Sequence, residues 1–408
     1  MHPTFSIVPE ARPAQSHGKL VTPANAILTS LPPLSLYVHV PWCVRKCPYC
    51  DFNSHALQGE VPEQQYLAAL RADLEQALPQ VWGRQVVTIF IGGGTPSLLS
   101  ASTIDQMLAL FRAYLNVLPD AEITLEANPG TVEAGRFAEY ARSGINRISL
   151  GIQSFDDQAL KALGRIHDAK QACAAIDIAQ NAVGRVNLDI MYALPRQSLE
   201  ACAQDLRQAM SFDTEHLSLY HLTLEPNTVF AKYPPPVPDD DASAAMQDLI
   251  TEQTSLRGWE RYEVSAYAKA GARCRHNLNY WEFGDYLGIG PGAHGKLSFH
   301  DKIIRQAKLK NPASWMDRAP RLDGSHIAEE RTVGNDELGF EFMLNALRLK
   351  AGVSSASFSE RTGLSTLAIA PAVGRAVARG LLESDPVRLQ ATALGWQFLN
   401  DLQAEFLE

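Results

Sequence analysis

Short apolar or β-branched runs recur along the first half of the chain. They are LYVHV (36–40), VVTIFI (86–91), EITLEA (122–127), RISLGI (147–152), RVNLDIMY (185–192) and HLSLYHL (216–222). Segments with helical spacing lie between them. In PEQQYLAALRADLEQALPQV, the residues Tyr66, Leu67, Leu70, Leu74 and Leu78 share one helix face, with Pro62 near the start. STIDQMLALFRAYL, VEAGRFAEYARSG, AKQACAAIDIAQNA and SLEACAQDLRQAM follow the same rule. Strands alternating with helices predict an α/β fold with a parallel sheet. Six such units suit a partial (β/α)6 TIM-like barrel, although an open doubly wound sheet satisfies the same pattern.

The rhythm changes after PPPVPDDD (234–241), which reads as an exposed linker. A helix-like run follows, then the strand-like RYEVSAYA (261–268) and a Gly- and aromatic-rich stretch over 274–300. From about residue 330 the pattern is helical, ending in a segment with room for a β-ribbon between helices, as in a winged-helix module. The expected divisions are a flexible extension (1–30), a barrel core (31–235), a barrel-completing segment (236–328) and a smaller C-terminal domain (329–408).

Composition excludes several classes. The 408 residues are 46% hydrophobic and 20% charged, with a net charge of −9, so no nucleic-acid footprint is expected. The C-terminal module is not conspicuously basic and reads as structural or partner-facing. No apolar run approaches the roughly 18 residues needed to span a bilayer. The first thirty residues lack the features of a secretory signal. A cytoplasmic setting is therefore expected, where clustered cysteines more often serve metal or redox chemistry than disulfides.

Functional side chains of a parallel barrel gather where strands end. After the first strand come Cys43, Cys47 and Cys50, spaced C-x3-C-x2-C; after the second come Gly93, Gly94 and Thr95. Glu126, Gln153 and Asp189 sit near the ends of strands three to five, with Arg165 in the segment after strand four. Three cysteines fall short of the four ligands that a structural zinc prefers. A four-iron cluster normally takes four as well, and with three it leaves one iron open to a small chelating ligand. Inert buried thiols are the bland alternative.

The cysteine spacing, with Tyr49 just before the third cysteine and a strand just before the first, resembles the radical S-adenosylmethionine (SAM) superfamily. In that superfamily the open iron is chelated by SAM, and an electron from the [4Fe–4S] cluster cleaves the sulfonium to a 5′-deoxyadenosyl radical. The stretches SLYVHVPWCVRKCPYCDFNSH, IFIGGGTPSLL, LEANPGT, RISLGIQSFDDQALKALGRIH, NLDIMYALPRQS, LTLEPNT and HNLNYWEFGDYLGIGPGAHG narrow the likeness. Together they resemble the coproporphyrinogen dehydrogenase-like group, from about residue 31 to the C-terminus. The resemblance implies cluster ligands at Cys43, Cys47 and Cys50. It implies SAM contacts at Tyr37, Tyr49, Gly93, Gly94, Thr95, Glu126, Gln153, Arg165 and Asp189.

Two functions compete within that group: oxidative decarboxylation of coproporphyrinogen III, and delivery of haem by a chaperone. Another radical-SAM reaction is a third reading. The decarboxylating members carry a further cysteine two residues after the third, where this chain has Phe52. HNLNYW (276–281) resembles the HNxxYW motif of the chaperone branch, which implies haem contacts at His276, Asn277, Tyr280 and Trp281. His276 can supply an axial imidazole, while Tyr280 and Trp281 offer flat apolar surface. Read without the resemblance, the same residues make an ordinary turn with partly buried aromatics. The chaperone reading implies haem, an apo-haem acceptor protein (a membrane-associated respiratory protein among the candidates) and a low-potential electron donor. Such an acceptor would also bring peripheral contact with a membrane.

Overall fold

The computed structural model describes residues 27–129 and 134–407. The expected extension lies outside these residues up to position 26. Its last residues are held in place: Leu28 is buried and exchanges hydrogen bonds with His300.

Six strands follow the alternation of the sequence: β1 (Leu34–Val40), β2 (Gln85–Gly93), β3 (Asn116–Ala127), β4 (Arg147–Gln153), β5 (Arg185–Tyr192) and β6 (His216–His221). They pair in chain order, all parallel. The sheet then grows at both ends into twelve strands. Beyond β6 lies the hairpin of β7 (Glu260–Arg261) and β8 (Ala266–Ala268). RYEVSAYA is therefore a turned hairpin rather than the single strand its alternation predicts. Tyr262 N–H bonds back to Ala266 O, and Glu263 leaves the sheet to pair with Arg348. On the other side β9 (Asp285–Ile289) runs parallel to β1 as a seventh parallel strand. The antiparallel β10 (His294–Ser298), β11 (Ile303–Lys308) and β12 (Ile327–Thr332) follow outward from it.

The helices cover the outer face. In α1 (Glu63–Val81) the predicted stripe holds, with Tyr66, Leu70 and Leu74 fully buried. That stripe also carries Asp73, a buried carboxylate held by Lys308 at 2.8 Å and His326 at 3.0 Å. It ties α1 to the chain beyond β9. Ser100 caps α2 (Ala101–Tyr114), and its hydroxyl donates to the Glu63 carboxylate. α3 (Ala134–Ser143), α4 (Ala169–Ala182) and α5 (Leu199–Ser211) cross between successive strands, and α6 (Asp240–Leu256) packs against α5.

Alternation within the strands sorts the two faces of the sheet. Leu34, Leu36, Val38 and Val40 join the core beneath the helices. Ser35, Tyr37 and His39 point the other way. The same polar inner row continues through Thr88, Glu122, Ser149, Asn187 and His216, so the concave lumen is lined by hydrogen-bonding groups. Glu122 on β3 reaches Arg185 on β5 at 2.6 Å, across the intervening strand.

Helix α7 (Arg275–Trp281) leads into β9, and α8 (Pro312–Arg318) lies between β11 and β12. A second apolar core lies under α9 (Asn335–Ala346), α10 (Ser355–Thr362) and α11 (Ala370–Ala378), with Phe342 and Phe358 edge to face. A two-residue ribbon is present, but it pairs Val353–Ser354, outside the expected end segment, with Arg388–Leu389; within that segment Leu382 and Ala391 form an isolated bridge. Among the described residues no helix is long and apolar enough to cross a membrane.

Candidate functional site

The cysteine loop begins where β1 ends. Trp42 and Cys43 pair in parallel with His55 and Ala56, making a two-residue ribbon whose loop carries Cys47 and Cys50. Internal bonds close that loop: Cys50 N–H donates to Cys47 O, and Lys46 Nζ donates to the carbonyls of Phe52 and Ser54. Asn53 anchors it from outside. Its carbonyl meets His39 Nε2 at 2.8 Å, and its amide donates to Pro291 O and Lys310 O, each at 2.9 Å. The GPG stretch serves this contact, since a Cβ on Gly292 would lie 2.2 Å from the Asn53 amide.

The three thiols are half-buried and none is in a disulfide. Burial is the main influence on Cys43 and raises its pKa, against hydrogen bonds from Thr95 and Ser54. Burial likewise raises Cys50, against Ser54 and the Phe52 backbone. Iron binding must displace these protons. Among the described residues no three His, Cys, Asp or Glu side chains converge on one point where a single ion would sit. A tetrahedral zinc site takes four ligands, whereas a four-iron cluster with one iron left open needs one sulfur at each of three irons.

Around the loop the strand ends bring most of the expected residues together. Gly94 N–H bonds to Val40 O and Thr95 N–H to Trp42 O, both at 2.7 Å, so the glycine turn is stitched to the ribbon. Gly93 has φ +112°, and a Cβ there would meet the His39 ring at 2.6 Å. Its N–H donates to Glu126 Oε2 at 3.0 Å. Burial holds the Glu126 carboxyl above its ordinary pKa, with Asp189 adding to the effect. Tyr37 lies deeper, its hydroxyl 2.9 Å from His39 Nδ1. Asp189 accepts from Asn187 Nδ2 and Ser149 Oγ.

Two residues show that the rim is shaped for a polar ligand. Gln153 is fully buried at φ +71°, and neither atom of its amide has a partner. An uncompensated buried amide costs about 1–3 kcal/mol, so both ends of this amide are open to a hydrogen-bonding ligand or a water. Arg165 spreads its guanidinium between Cys47 Sγ (3.6 Å), Asn128 Oδ1 (2.6 Å) and Gly151 O (2.7 Å), with Nε unpartnered. Tyr49 packs among Leu163, Met191, Leu194 and Phe230, closing the loop on its apolar side.

The HNLNYW residues are elsewhere. They form α7 rather than a turn, set against the lumen near the start of β2. His276 is fully buried, its Nδ1 2.7 Å from Thr88 Oγ1 and its Nε2 3.1 Å from Tyr280 Oη. Its ring stacks on Phe90 at 5.0 Å, and its backbone N–H donates to Glu122 Oε1. Tyr280 stands edge-on to Tyr286 at 4.4 Å. Trp281 points into the C-terminal core beneath the Arg348 guanidinium, 4.2 Å away. Asn277 keeps a buried, unpartnered Oδ1. Both His276 nitrogens are engaged in this arrangement, so ligation of an iron would require leaving Thr88 or Tyr280.

Several working residues escape a motif-led reading. Asn53 and His39 anchor the loop, and Asn279 fastens α7 by donating to Ser35 Oγ and Asp285 O. Asp205 holds the turn after Gln153 through Phe155 N–H and Ser154 Oγ. The period-two polar row Ser35, Tyr37, His39 was the available signal for the lumen; Asn53, Asn279 and Asp205 carry none.

Comparison with known proteins agrees with this geometry. Residues 37–209 match the radical SAM superfamily, and residues 333–398 match the HemN C-terminal domain. The chain is 48% identical over 382 residues to the heme chaperone HemW of Escherichia coli, covering 93% of this chain and 100% of that protein. It is 47% identical to the Haemophilus influenzae protein of the same name, covering 93% and 99%. Among solved structures, coproporphyrinogen III oxidase (HemN) from Escherichia coli superposes with a TM-score of 0.79 at 21% identity. That match covers 92% of this chain and 90% of the other, and it shows the shared fold. This chain, a radical SAM fold with a HemN-type C-terminal domain, belongs to the heme chaperone HemW family.

Proposed function

We propose that this protein binds haem and transfers it to an apo-haem protein, on a scaffold that carries a [4Fe–4S] cluster and SAM. The observation that carries this reading is the full-length similarity to the Escherichia coli heme chaperone. The cluster ligands are Cys43, Cys47 and Cys50. Where decarboxylating members have a further cysteine, this chain has Phe52, half-buried with its carbonyl bonded by Lys46.

The residues fit SAM. Gly93, Gly94 and Thr95 expose backbone at the loop, and the Glu126 carboxylate is placed for an ammonium. The Arg165 fork suits a carboxylate, and the unpartnered Gln153 amide with Asp189 suits ribose and adenine. Tyr37 and Tyr49 wall the site. When bound, the cluster and SAM supply one-electron chemistry at this rim. The chain's own part is to bind, orient and shield. The acceptor is an apo-haem protein, a membrane-associated respiratory protein being one candidate, reached by peripheral contact. A low-potential donor serves the cluster.

The test is anaerobic reconstitution followed by haem titration, watching the Soret band. Saturable binding and transfer to an apo-haem acceptor support the chaperone. No binding above background would overturn it. Decarboxylation of coproporphyrinogen III by the same preparation would assign the protein to the enzyme branch instead.

A further inference from the structure

Buried cations in this protein meet carboxylates, with one exception among the described residues. Lys296 reaches Asp285 at 3.0 Å, Lys308 reaches Asp73 at 2.8 Å, and Arg348 reaches Glu263 at 3.3 Å. Arg147, at the start of β4, is 2% exposed, and its side chain makes no ion pair or hydrogen bond among the described residues. Its Nε is buried without a partner. A desolvated guanidinium with none of its five donors used is costly to keep. The neighbouring carboxylates do not relieve it. Glu122 is taken up by Arg185 and by the backbone N–H groups of Arg275 and His276, and Asp189 by Ser149 and Asn187.

The register of the sheet shows what Arg147 faces. Thr124 on β3 is its partner across the strand pair, so the two side chains leave the sheet on the same face. Thr124 is fully buried, and its hydroxyl is also without a partner. That face is the lumen, because Glu122 and Glu126, on either side of Thr124 along the same row, bond there to Arg185 and to the Gly93 N–H. Around the guanidinium lie Cys274, Glu122, Tyr262 and Asp189. Cys274 immediately precedes α7, and Phe90, on which His276 stacks at 5.0 Å, is the β2 partner of Thr124. The two unused donor groups therefore stand side by side, next to the HNLNYW helix.

We infer that Arg147 and Thr124 form a carboxylate-binding pocket in the lumen, and that it takes a propionate of the haem this protein carries. A guanidinium fork and a hydroxyl on adjacent strands match the two oxygens of one carboxylate. Haem bears two propionates on a flat apolar ring, and the residues beside the pocket are aromatic: Phe90, His276 and Tyr280. A propionate held here turns one edge of the macrocycle toward α7, so the pocket and the motif act on the same molecule. Without a ligand the unbonded charge is a liability to the fold, as at sites where stability is given up for binding. This inference rests on the haem-chaperone reading and names a haem contact outside the motif.

The experiment compares haem with its dimethyl ester, which has no carboxylates, in titrations of the full chain as wild type, Arg147→Met and Thr124→Val. Wild type is expected to bind the ester about tenfold or more weakly than haem. In Arg147→Met that difference falls below about twofold, since the charge that reads the carboxylate is gone. Thr124→Val, which keeps the shape of the side chain, gives an intermediate difference. Chemical denaturation without haem supplies a second readout. Arg147→Met is expected to unfold at the wild-type denaturant concentration or a higher one, whereas loss of a structural arginine would lower it. If wild type binds haem and ester equally, or Arg147→Met keeps the wild-type difference, the pocket is overturned and the chaperone reading stands. A lowered denaturation midpoint in Arg147→Met overturns it as well. If wild type binds no haem above background, both fail.

Discussion

Arg165 Nη1 stands 3.6 Å from Cys47 Sγ, across 118 residues of chain, while its Nη2 is held by Asn128 and Gly151. One guanidinium thus joins the cysteine loop to the ends of β3 and β4. A lysine keeps the charge but cannot reproduce the planar fork. Arg165→Lys is expected to weaken SAM binding to the reconstituted protein by about tenfold while iron content stays unchanged. Equilibrium dialysis with SAM and iron analysis check both halves.

The glycine turn gives a steric prediction. A Cβ on Gly94 would lie 2.5 Å from Trp42 O, a backbone atom that cannot swing away. Gly94→Ala must push the ribbon off the turn. A loss of about 2 kcal/mol in unfolding free energy is expected, together with weakened SAM binding. Denaturant titration and dialysis measure the two effects.

Asp205 gives a pH dependence. Burial pushes its pKa from 3.8 up to about 6, against hydrogen bonds from Phe155 N–H and Ser154. A carboxyl raised on folding stabilises the fold fully below its unfolded pKa, and that contribution is lost as pH rises through the folded value. Wild type should therefore lose stability between about pH 4 and pH 6, by roughly 3 kcal/mol from this group. Asp205→Asn should flatten that slope in denaturation curves taken across the window.

His276 is, by its surroundings, a core residue. Its removal breaks bonds to Thr88 and Tyr280 and leaves a gap beside Phe90. His276→Ala is expected to cost about 3 kcal/mol of stability, read by chemical denaturation. A change below about 1 kcal/mol would show that the ring is not held in this way.

The one-dimensional pattern was enough to determine the βα rhythm, because alternation and helical spacing report burial directly. The six parallel strands, the helical stripe of α1 and the cysteine loop after β1 all follow from it. Spacing and residue type also placed Gly93, Glu126, Gln153 and Asp189 near strand ends and Arg165 in the segment after β4, and the structure brings them to one rim. Only the tertiary structure decided what those residues meet. Arg165 finds Cys47, Asn53 finds Pro291, and Asp73 finds Lys308 across separations that no local period encodes. It also decided that HNLNYW forms a helix against the lumen, with both His276 nitrogens engaged by Thr88 and Tyr280. A histidine's chemistry depends on which of its nitrogens remain unbonded, and that is settled by distant parts of the chain closing around it.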